Sequence, residues 1–536
     1  MKSLIPSKRF CFVALLLSMF VTHSLFFPPP LQAETESKTK TFKKKPNILF
    51  IYTDDHSYRT ISCYKEAFDW VKTPNIDKLA KRGVRFTNAY IGTWCMPSRA
   101  TLLTGFHQHG VKTMRMKGTY PNSEYDPKQC KFWPAEFRKK GYTTAHIGKW
   151  HTGTDTGFGR DWDYQVVWNR PRYPENSRNY YYNQLIETNG GKPKLEKGYS
   201  TDNYTKLADE FIQGKHRDSD KPWYLWLCYT AVHDPFTPAK RHLKKYPNPK
   251  VPVPQDIFPP RKGKPAYVNK GNWFTKGKDG RPYLVRDLDG PSKKPISGIH
   301  GATLTDWVRQ YHQGVVALDE SVGRLVKTLE KTKQLENTLI IFTSDQGFAW
   351  GQHGFCVKLA PYDATIRSPL IISMPGTIPE GKVCKKPVGG VDLVPTIFQF
   401  ANLELPWEMH GRDLSPLLKN PDREWNHPLL TTFFAKEYGD DTATIPKDPK
   451  KFYQLDVPWW VSLHDGKYKY IRTLVEGETE ELYDMKNDPQ ELDNLALHAK
   501  QSSRVRKFRQ ATIQELRRTG AKIVDSLPAV KRLPGE

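Results

Sequence analysis

The stretch Pro46-Asn47-Ile48-Leu49-Phe50-Ile51-Tyr52-Thr53-Asp54-Asp55 decides how this chain is read. Its short, unbroken apolar run from Ile48 to Tyr52 suits a strand buried on both faces of a parallel sheet. Similar runs recur at Tyr142–Ile147, Trp223–Tyr229, Leu339–Phe342 and Pro369–Met374. Helical stretches lie between them. The clearest runs from about Thr305 to Lys333, where Trp307, Tyr311, Val315, Leu318, Val322, Leu325 and Leu329 fall by threes and fours on one face. Strands alternating with helices predict an α/β fold: a large, central, mostly parallel sheet flanked by helices.

The pattern changes twice along the chain. Residues 240–299 are rich in Pro, Lys and Gly and show little periodicity, which predicts a long functional or disordered loop. Beyond Trp425, strand-like pieces at Trp459–Leu463 and Tyr468–Leu474 flank the turn His464-Asp465-Gly466, and Glu481-Leu482-Tyr483-Asp484 follows. These predict a smaller C-terminal antiparallel sheet, joined by a helix from Gln501 to Thr519. The expected boundaries are a catalytic domain over 46–425 and a subdomain with a basic tail over 426–536.

The N-terminus reads as an export signal over residues 1–33. Lys2, Lys8 and Arg9 precede an apolar run from Phe10 to Phe27, and three prolines and a cleavage point after Ala33 follow. A membrane anchor is the competing reading of that run. Residues 34–45 are a polar, basic linker. With a cleaved signal, the expectation is a secreted or periplasmic protein without stable membrane insertion. The net charge of +25 suggests a polyanionic partner. Seven cysteines are present, none in the close pairs that hold zinc, and at most two disulfides are expected.

Chemistry collects at the strand ends. In an open α/β sheet, ligands bind beyond the carboxyl ends of the strands. The first strand ends at Asp54-Asp55, the second at Gly148-Lys149-Trp150-His151, the third before His233-Asp234, and the fourth at Asp345-Gln346-Gly347. Singly, each is as readily a turn, a cap or a structural histidine. Together they put acids, an amide, lysine and histidine on one sheet edge. Asp54, Asp55, Asp345 and the Gln346 amide oxygen are hard ligands of the kind Ca²⁺ prefers, with Mg²⁺ the alternative.

The most specific signal is Cys95-Met96-Pro97-Ser98-Arg99-Ala100-Thr101-Leu102-Leu103-Thr104-Gly105. Pro97 suits the first turn of a helix, which sets Cys95 at a helix N-terminus where anions bind. On local grounds alone, a buried cysteine before an ordinary helix is the competing reading.

That segment resembles the C-x-P-S-R-x-x-x-L-T-G signature of formylglycine-dependent (type I) sulfatases of the alkaline phosphatase superfamily. The resemblance extends to the Asp54-Asp55 strand, Gly148–His151, the His233 segment, Asp345–Gly347 and the C-terminal pieces Asp465–Tyr470 and Glu481–Asp484. It implies an alkaline phosphatase-like fold and a maturation enzyme that converts Cys95 to formylglycine (3-oxoalanine), which hydrates to a geminal diol. It further implies a metal held by Asp54, Asp55, Asp345, Gln346 and the modified Cys95. Arg99 and Lys149 would stabilise the diol, and His233 and Lys358 would neutralise the sulfate and help protonate the leaving alkoxide. His151 would take the proton from the second hydroxyl. Gln346 stands where the family more often has Asn or His, and reaches one methylene further.

Two other functions are weighed against this one. Relatives in the superfamily cleave phosphate mono- and diesters or phosphonates, and a basic export protein could bind sulfated glycans without turnover. The preferred substrate is a sulfated carbohydrate, a polysaccharide or its oligosaccharides; no nucleic-acid partner is expected. Trp168-Asn169-Arg170 and Tyr180-Tyr181-Tyr182 are candidates to stack on sugar rings or to join the core, and 240–299 is expected to form part of the substrate rim.

Overall fold

The computed structural model describes residues 45–534, apart from 113, 117–122, 126–130, 171, 177, 272, 285, 288–289, 292–302 and 357. The expected export signal over 1–33 and the expected linker, up to residue 44, lie outside the described residues.

The run at Ile48 forms the strand Asn47–Thr53, every residue of which is buried. It lies at the centre of the main sheet. In order across that sheet are Lys382–Cys384, Val84–Tyr90, Ser368–Ser373, Thr338–Ser344, Asn47–Thr53, Trp223–Cys228, Thr143–Lys149, Tyr164–Trp168, Tyr182–Thr188 and Lys194–Tyr199. The five strands from Thr338–Ser344 to Tyr164–Trp168 run parallel. Ser368–Ser373 is antiparallel to both of its neighbours, and the outer pairings at the far edge are antiparallel too.

Alternation along the central strand divides the core in two. Ile48, Phe50 and Tyr52 pack into one hydrophobic cluster with the helix Gly390–Phe400. Leu49 and Ile51 pack into the other, with the long helix Leu304–Lys331. That helix starts where its sequence provides a cap. Thr303 Oγ1 accepts from Asp306 N at 3.1 Å, and the Asp306 carboxylate accepts from Thr303 N at 3.3 Å. Covering the sheet with helices on both faces explains why its central strands read as continuous apolar runs.

A four-stranded antiparallel sheet follows, in the order Leu429–Phe433, Trp460–His464, Tyr468–Thr473, Glu481–Asp484. The helix Ser502–Arg518 packs Val505, Phe508 and Leu516 into its core. Within the 240–299 segment, the described residues up to 271 are held by specific hydrogen bonds, and residues 292–299 lie outside the described residues. Its chain is pinned by buried cations, with Arg261 donating to the carbonyls of Asp256, Ile257 and Val268. Lys264 reaches Tyr483 Oη at 2.8 Å and the Glu491 carbonyl at 2.6 Å in the C-terminal subdomain. Lysine and arginine read as solvated positions in sequence, and here they tie two parts of the chain together. Cys63, Cys95, Cys228 and Cys384 are free thiols. Among the described residues, no helix is long and apolar enough to cross a membrane.

Candidate active site

The four strands whose ends carry polar residues are immediate neighbours in the sheet, all parallel. In register, Thr53 pairs with Ser344, Tyr52 with Cys228, and Cys228 with Gly148. Their carboxyl ends therefore finish side by side, and Asp54, Asp55, Lys149, His233 and Asp345 leave the sheet at one place. Two backbone features keep this edge tight. Gly148 has φ 110°, and a Cβ there would come within 1.9 Å of the Cys228 carbonyl oxygen. Asp55 and His151 both adopt left-handed backbone, at φ 57° and 60°, a strained conformation of the kind that gathers at functional sites.

Cys95 is the first residue of the helix Cys95–Thr104, all ten residues of which are buried. Ser98 anchors the helix to the fourth strand, donating from Oγ to the Asp345 carbonyl at 2.8 Å. Gly92 must be glycine, because a Cβ there would meet Ser98 Oγ at 1.9 Å. The packing brings Cys95 Sγ within 3.3 Å of Asp54 Oδ1 and 4.0 Å of Asp55 Oδ1. Ligand atoms of Asp54, Asp55, Cys95 and His233 all lie within 4.8 Å of one another.

Cations surround these acids. Lys149 pairs with Asp54 through Nζ and Oδ2, and neither side chain is exposed. Arg99 lies 3.8 Å from the same carboxylate and donates to the Lys149 carbonyl at 2.7 Å. Lys358 Nζ lies 2.6 Å from Asp55 Oδ1 and 3.0 Å from Cys95 Sγ. His233 Nε2 is 3.7 Å from Asp55 Oδ2. Every residue expected at the site is thus at the site or, for His151, buried within electrostatic reach of Lys149, Arg99 and Asp54.

The charges sort themselves by environment. Burial raises the Asp54 carboxyl, but Lys149, with His233, Arg99 and Lys358, outweighs it and holds Asp54 well below the usual range. Burial and the neighbouring Asp54 and Asp55 charges push Asp345 well above that range. Burial, then Asp54, also raises the Cys95 thiol, so the unmodified side chain is held protonated. Burial, with Lys149 and then Arg99, keeps His151 well below its ordinary value and hence neutral. Burial, Lys149 and Lys358 do the same to His233.

The donor set suits a divalent cation. Three carboxylates crowd one buried site, and Asp345 Oδ2 and Gln346 Oε1 are buried without a hydrogen-bond partner. Buried oxygens left in that state are costly unless something electropositive meets them. The Gln346 amide nitrogen donates to Asp55 Oδ1, so the longer side chain still reaches the cluster. Hard oxygen donors of this kind match Ca²⁺ or Mg²⁺.

Comparison with known proteins agrees with this geometry. A family model described as "Sulfatase" matches residues 46–403, and one described as "N-sulphoglucosamine sulphohydrolase, C-terminal" matches 351–519. The chain belongs to the sulfatase family. This sulfatase is a sulfuric ester hydrolase of the type I group, with the mixed α/β architecture of its relatives. It is 30% identical over 508 residues to an N-acetylglucosamine-6-O-sulfatase of Bacteroides thetaiotaomicron, covering 86% of this chain and 85% of that one. It is 27% identical over 422 residues to the human N-acetylglucosamine-6-sulfatase, covering 75% and 70%. Among solved structures, it is similar to a protein in complex with its substrate D-glucosamine-2-N,6-O-disulfate. The TM-score is 0.73 at 27% identity, over 90% of this sulfatase and 99% of that chain. A phosphonate monoester hydrolase of Agrobacterium radiobacter shares the fold, with a TM-score of 0.65 at 22% identity over 88% and 96% of the two chains.

Sequence reading missed the roles of two site residues. Tyr180 and Arg170 belong to the aromatic and basic clusters expected either to stack on sugar rings or to join the core. They are 4% and 5% exposed, and Trp168, Tyr180 and Tyr181 pack in the hydrophobic core. Tyr180 also stacks on His233, with ring centroids 4.2 Å apart. Nothing in the local sequence pairs residues 180 and 233; only the folded sheet edge does.

Proposed function

We propose that this sulfatase hydrolyses sulfate esters of a carbohydrate, with 6-O-sulfated glucosamine units as the first candidates, and that residue 95 acts as the nucleophile after conversion to formylglycine. The observation that carries the reading is the position of Cys95, at a buried helix N-terminus within reach of Asp54, Asp55 and Lys358. The glucosamine preference rests on likeness, since relatives bearing N-acetylglucosamine-6-sulfatase names span most of the chain.

Asp54, Asp55, Asp345, Gln346 and residue 95 would hold a divalent cation, Ca²⁺ or Mg²⁺, which supplies charge to bind the sulfate and eases loss of a hydroxyl proton. The remaining chemistry belongs to the side chains. The hydrated residue 95 carries two hydroxyls, and Arg99 and Lys149 orient them. One oxygen attacks the sulfur and loses its proton toward Asp345, whose carboxylate a bound cation would keep ionised. The bond from sulfur to the sugar oxygen breaks, and Lys358, or His233 once the charge of the bound ester has drawn a proton onto its imidazole, delivers a proton to the departing alkoxide. Neutral His151 then takes the proton from the second hydroxyl. The carbon–oxygen bond to sulfate breaks, sulfate leaves and the aldehyde returns. A serine at 95 would lack that exit, because its sulfate ester needs a second attack at sulfur. Unassisted alkyl sulfate hydrolysis is slow enough that the site must supply on the order of 20 kcal/mol. Lys149, Lys358 and Arg99, fixed in a dry site, are the main source.

The basic composition and the N-terminal residues 1–33 support an exported enzyme meeting a polyanionic substrate. A catalytic domain over 46–425 and a subdomain over 426–536 are the proposed division. The test is sulfate release from N-acetylglucosamine-6-sulfate, sulfated polysaccharides and 4-nitrophenyl sulfate. The enzyme is made together with a formylglycine-generating enzyme, beside Cys95→Ala. Release by the parent alone is expected. Confirmed aldehyde at residue 95 with no release from any ester would sink the carbohydrate reading, and turnover of a phosphonate ester in its place would favour that alternative.

A further inference from the structure

Tyr311 is one of the periodic core positions of the long helix Leu304–Lys331, and it is fully buried. Its ring is boxed in by the chain beyond two of the site strands. Phe348, two residues past Gln346, lies 5.2 Å away between ring centroids, and Trp350 meets it edge-on at 5.0 Å. Phe236, three residues past His233, lies at 5.7 Å. The ring therefore has one position, and its hydroxyl reaches the end of a third strand.

That hydroxyl sits on the Asp55 turn. It accepts from Ser57 N at 3.1 Å and donates to the Asp55 carbonyl oxygen. The directions are fixed, because an amide N–H only donates and a carbonyl only accepts. The other backbone group of Asp55 is held as well, its N–H donating to Asp345 Oδ1 at 2.8 Å. Asp55 adopts left-handed backbone at φ 57°, a conformation that a residue with a Cβ keeps only when its surroundings impose it. Asp345 Oδ1 also accepts from Gln346 N at 3.1 Å, while its Oδ2 has no hydrogen-bond partner. The turn that aims the Asp55 carboxylate thus also decides which oxygen of Asp345 is left over.

We propose that Tyr311 is a positioning residue for the cation site: its hydroxyl clamps the Asp55 turn, so that the carboxylates of Asp55 and Asp345 face the cation before it binds. The inference rests on the reading of Asp54, Asp55, Asp345 and Gln346 as cation ligands. Tyr311 touches no ligand oxygen and takes part in none of the reaction steps assigned above. It acts through the backbone of a residue that does. Losing a partner that orients a metal ligand typically costs about 10–100-fold in metal affinity.

The test is calorimetric titration of Ca²⁺ into the metal-stripped, matured full chain, with the cation-free melting temperature measured beside it. Tyr311→Phe keeps the boxed ring and removes only the hydroxyl. It should raise the Kd for Ca²⁺ about tenfold. Tyr204→Phe is the control, since it deletes another buried hydroxyl of the same core, one that donates to Gln184 Oε1 at 2.5 Å. It should lower the melting temperature and leave the Kd within about twofold of the parent. Trp350→Phe trims the ring that meets Tyr311 edge-on. It should weaken Ca²⁺ in the same direction by about threefold, and it stands in if Tyr311→Phe accumulates poorly. A Tyr311→Phe chain that melts lower but binds Ca²⁺ like the parent overturns the proposal alone, as does an equal loss of affinity in Tyr204→Phe. A parent that binds neither Ca²⁺ nor Mg²⁺ overturns it together with the reading of the cation site beneath it.

Discussion

Lys358 Nζ bridges Asp55 and Cys95, 2.6 Å from the carboxylate Oδ1 and 3.0 Å from the sulfur. The residue itself sits outside any helix or strand, in the segment between Gly347 and Tyr362, yet its side chain is only 10% exposed. Burial opposes its charge, but Asp55 and Cys95 keep its ammonium well above the ordinary lysine value, so it stays charged through the physiological range. Lys358→Ala should lower kcat by about a hundredfold, as loss of one preorganised charge does in other sites. Affinity for Ca²⁺ should not weaken, because a competitor for Asp55 Oδ1 has been removed. Steady-state kinetics beside calorimetric Ca²⁺ titration separates the two, and an unchanged kcat would remove Lys358 from the machinery.

The buried, partnerless Asp345 Oδ2 and Gln346 Oε1 predict a cation-dependent stability. A chelator should lower the melting temperature and Ca²⁺ should restore it, since a ligand at a hundred times its Kd stabilises by about 2.7 kcal/mol. The unmodified cysteine form serves here, so the readout does not depend on turnover. Gln346→Ala should weaken Ca²⁺ binding at least tenfold while the cation-free melting temperature stays near that of the parent. A melting temperature indifferent to chelator and to Ca²⁺ would falsify the assignment of these oxygens as ligands.

Much of this was legible in the chain, for a physical reason. Strands buried on both faces must be apolar throughout, so Ile48–Tyr52 and Trp223–Tyr229 announce themselves, and the polar residues that end them stand out. The long helix declared its periodicity and began at Leu304, one residue before the expected Thr305, because its start is set by the capping Thr303, which lies outside the apolar pattern. The sheet's far edge was not legible. Tyr182–Thr188 and Lys194–Tyr199 are partly exposed and carry mixed residues, so no apolar run marks them. Val84–Tyr90 alternates, and its antiparallel partner Ser368–Ser373 lies far along the sequence. The same distance in sequence hides the pairing of Tyr180 with His233 and of Lys264 with Tyr483.

Acid should unfold this protein through its buried histidines. Burial holds His109, His353 and His464 down at about 4 and His146 and His312 at about 3, against about 6.5 in an unfolded chain. A depressed histidine refuses in the folded state a proton that the unfolded chain accepts. Stability is therefore complete above about pH 6.5 and lost as pH falls toward about 4, by about 1.4 kcal/mol per pH unit for each histidine. Urea midpoints measured from pH 7.5 to 4.5 should fall steeply below 6.5, with proton uptake of several per molecule. His353→Gln should flatten the slope by about one proton. A midpoint constant from pH 7 to 5 would contradict the argument.

The C-terminal subdomain meets the loop that carries Lys358 through a buried charge cluster. Lys469 Nζ lies 2.7 Å from Asp363 Oδ1 and 2.5 Å from Glu491 Oε1, with all three side chains nearly inaccessible. Glu491 Oε2 in turn accepts from Asp363 N at 2.7 Å, and the preceding Tyr362 donates its hydroxyl to Glu481 at 2.9 Å. Burial lifts the Glu491 carboxyl to about 7 even beside Lys469, so the lysine is what keeps two carboxylates tolerable there. Removing one partner from a buried pair leaves the other unpaired and costs about 3–5 kcal/mol. Lys469→Met should destabilise by about that much and, by loosening Asp363 and the loop before it, lower activity as well. Adding Glu491→Gln removes the stranded charge, so the double variant should regain at least ~1 kcal/mol over Lys469→Met. Urea unfolding of the three proteins at pH 8 decides it. A single variant within about 1 kcal/mol of the parent, or a double variant weaker than the single, would mean that apolar packing alone docks the subdomain.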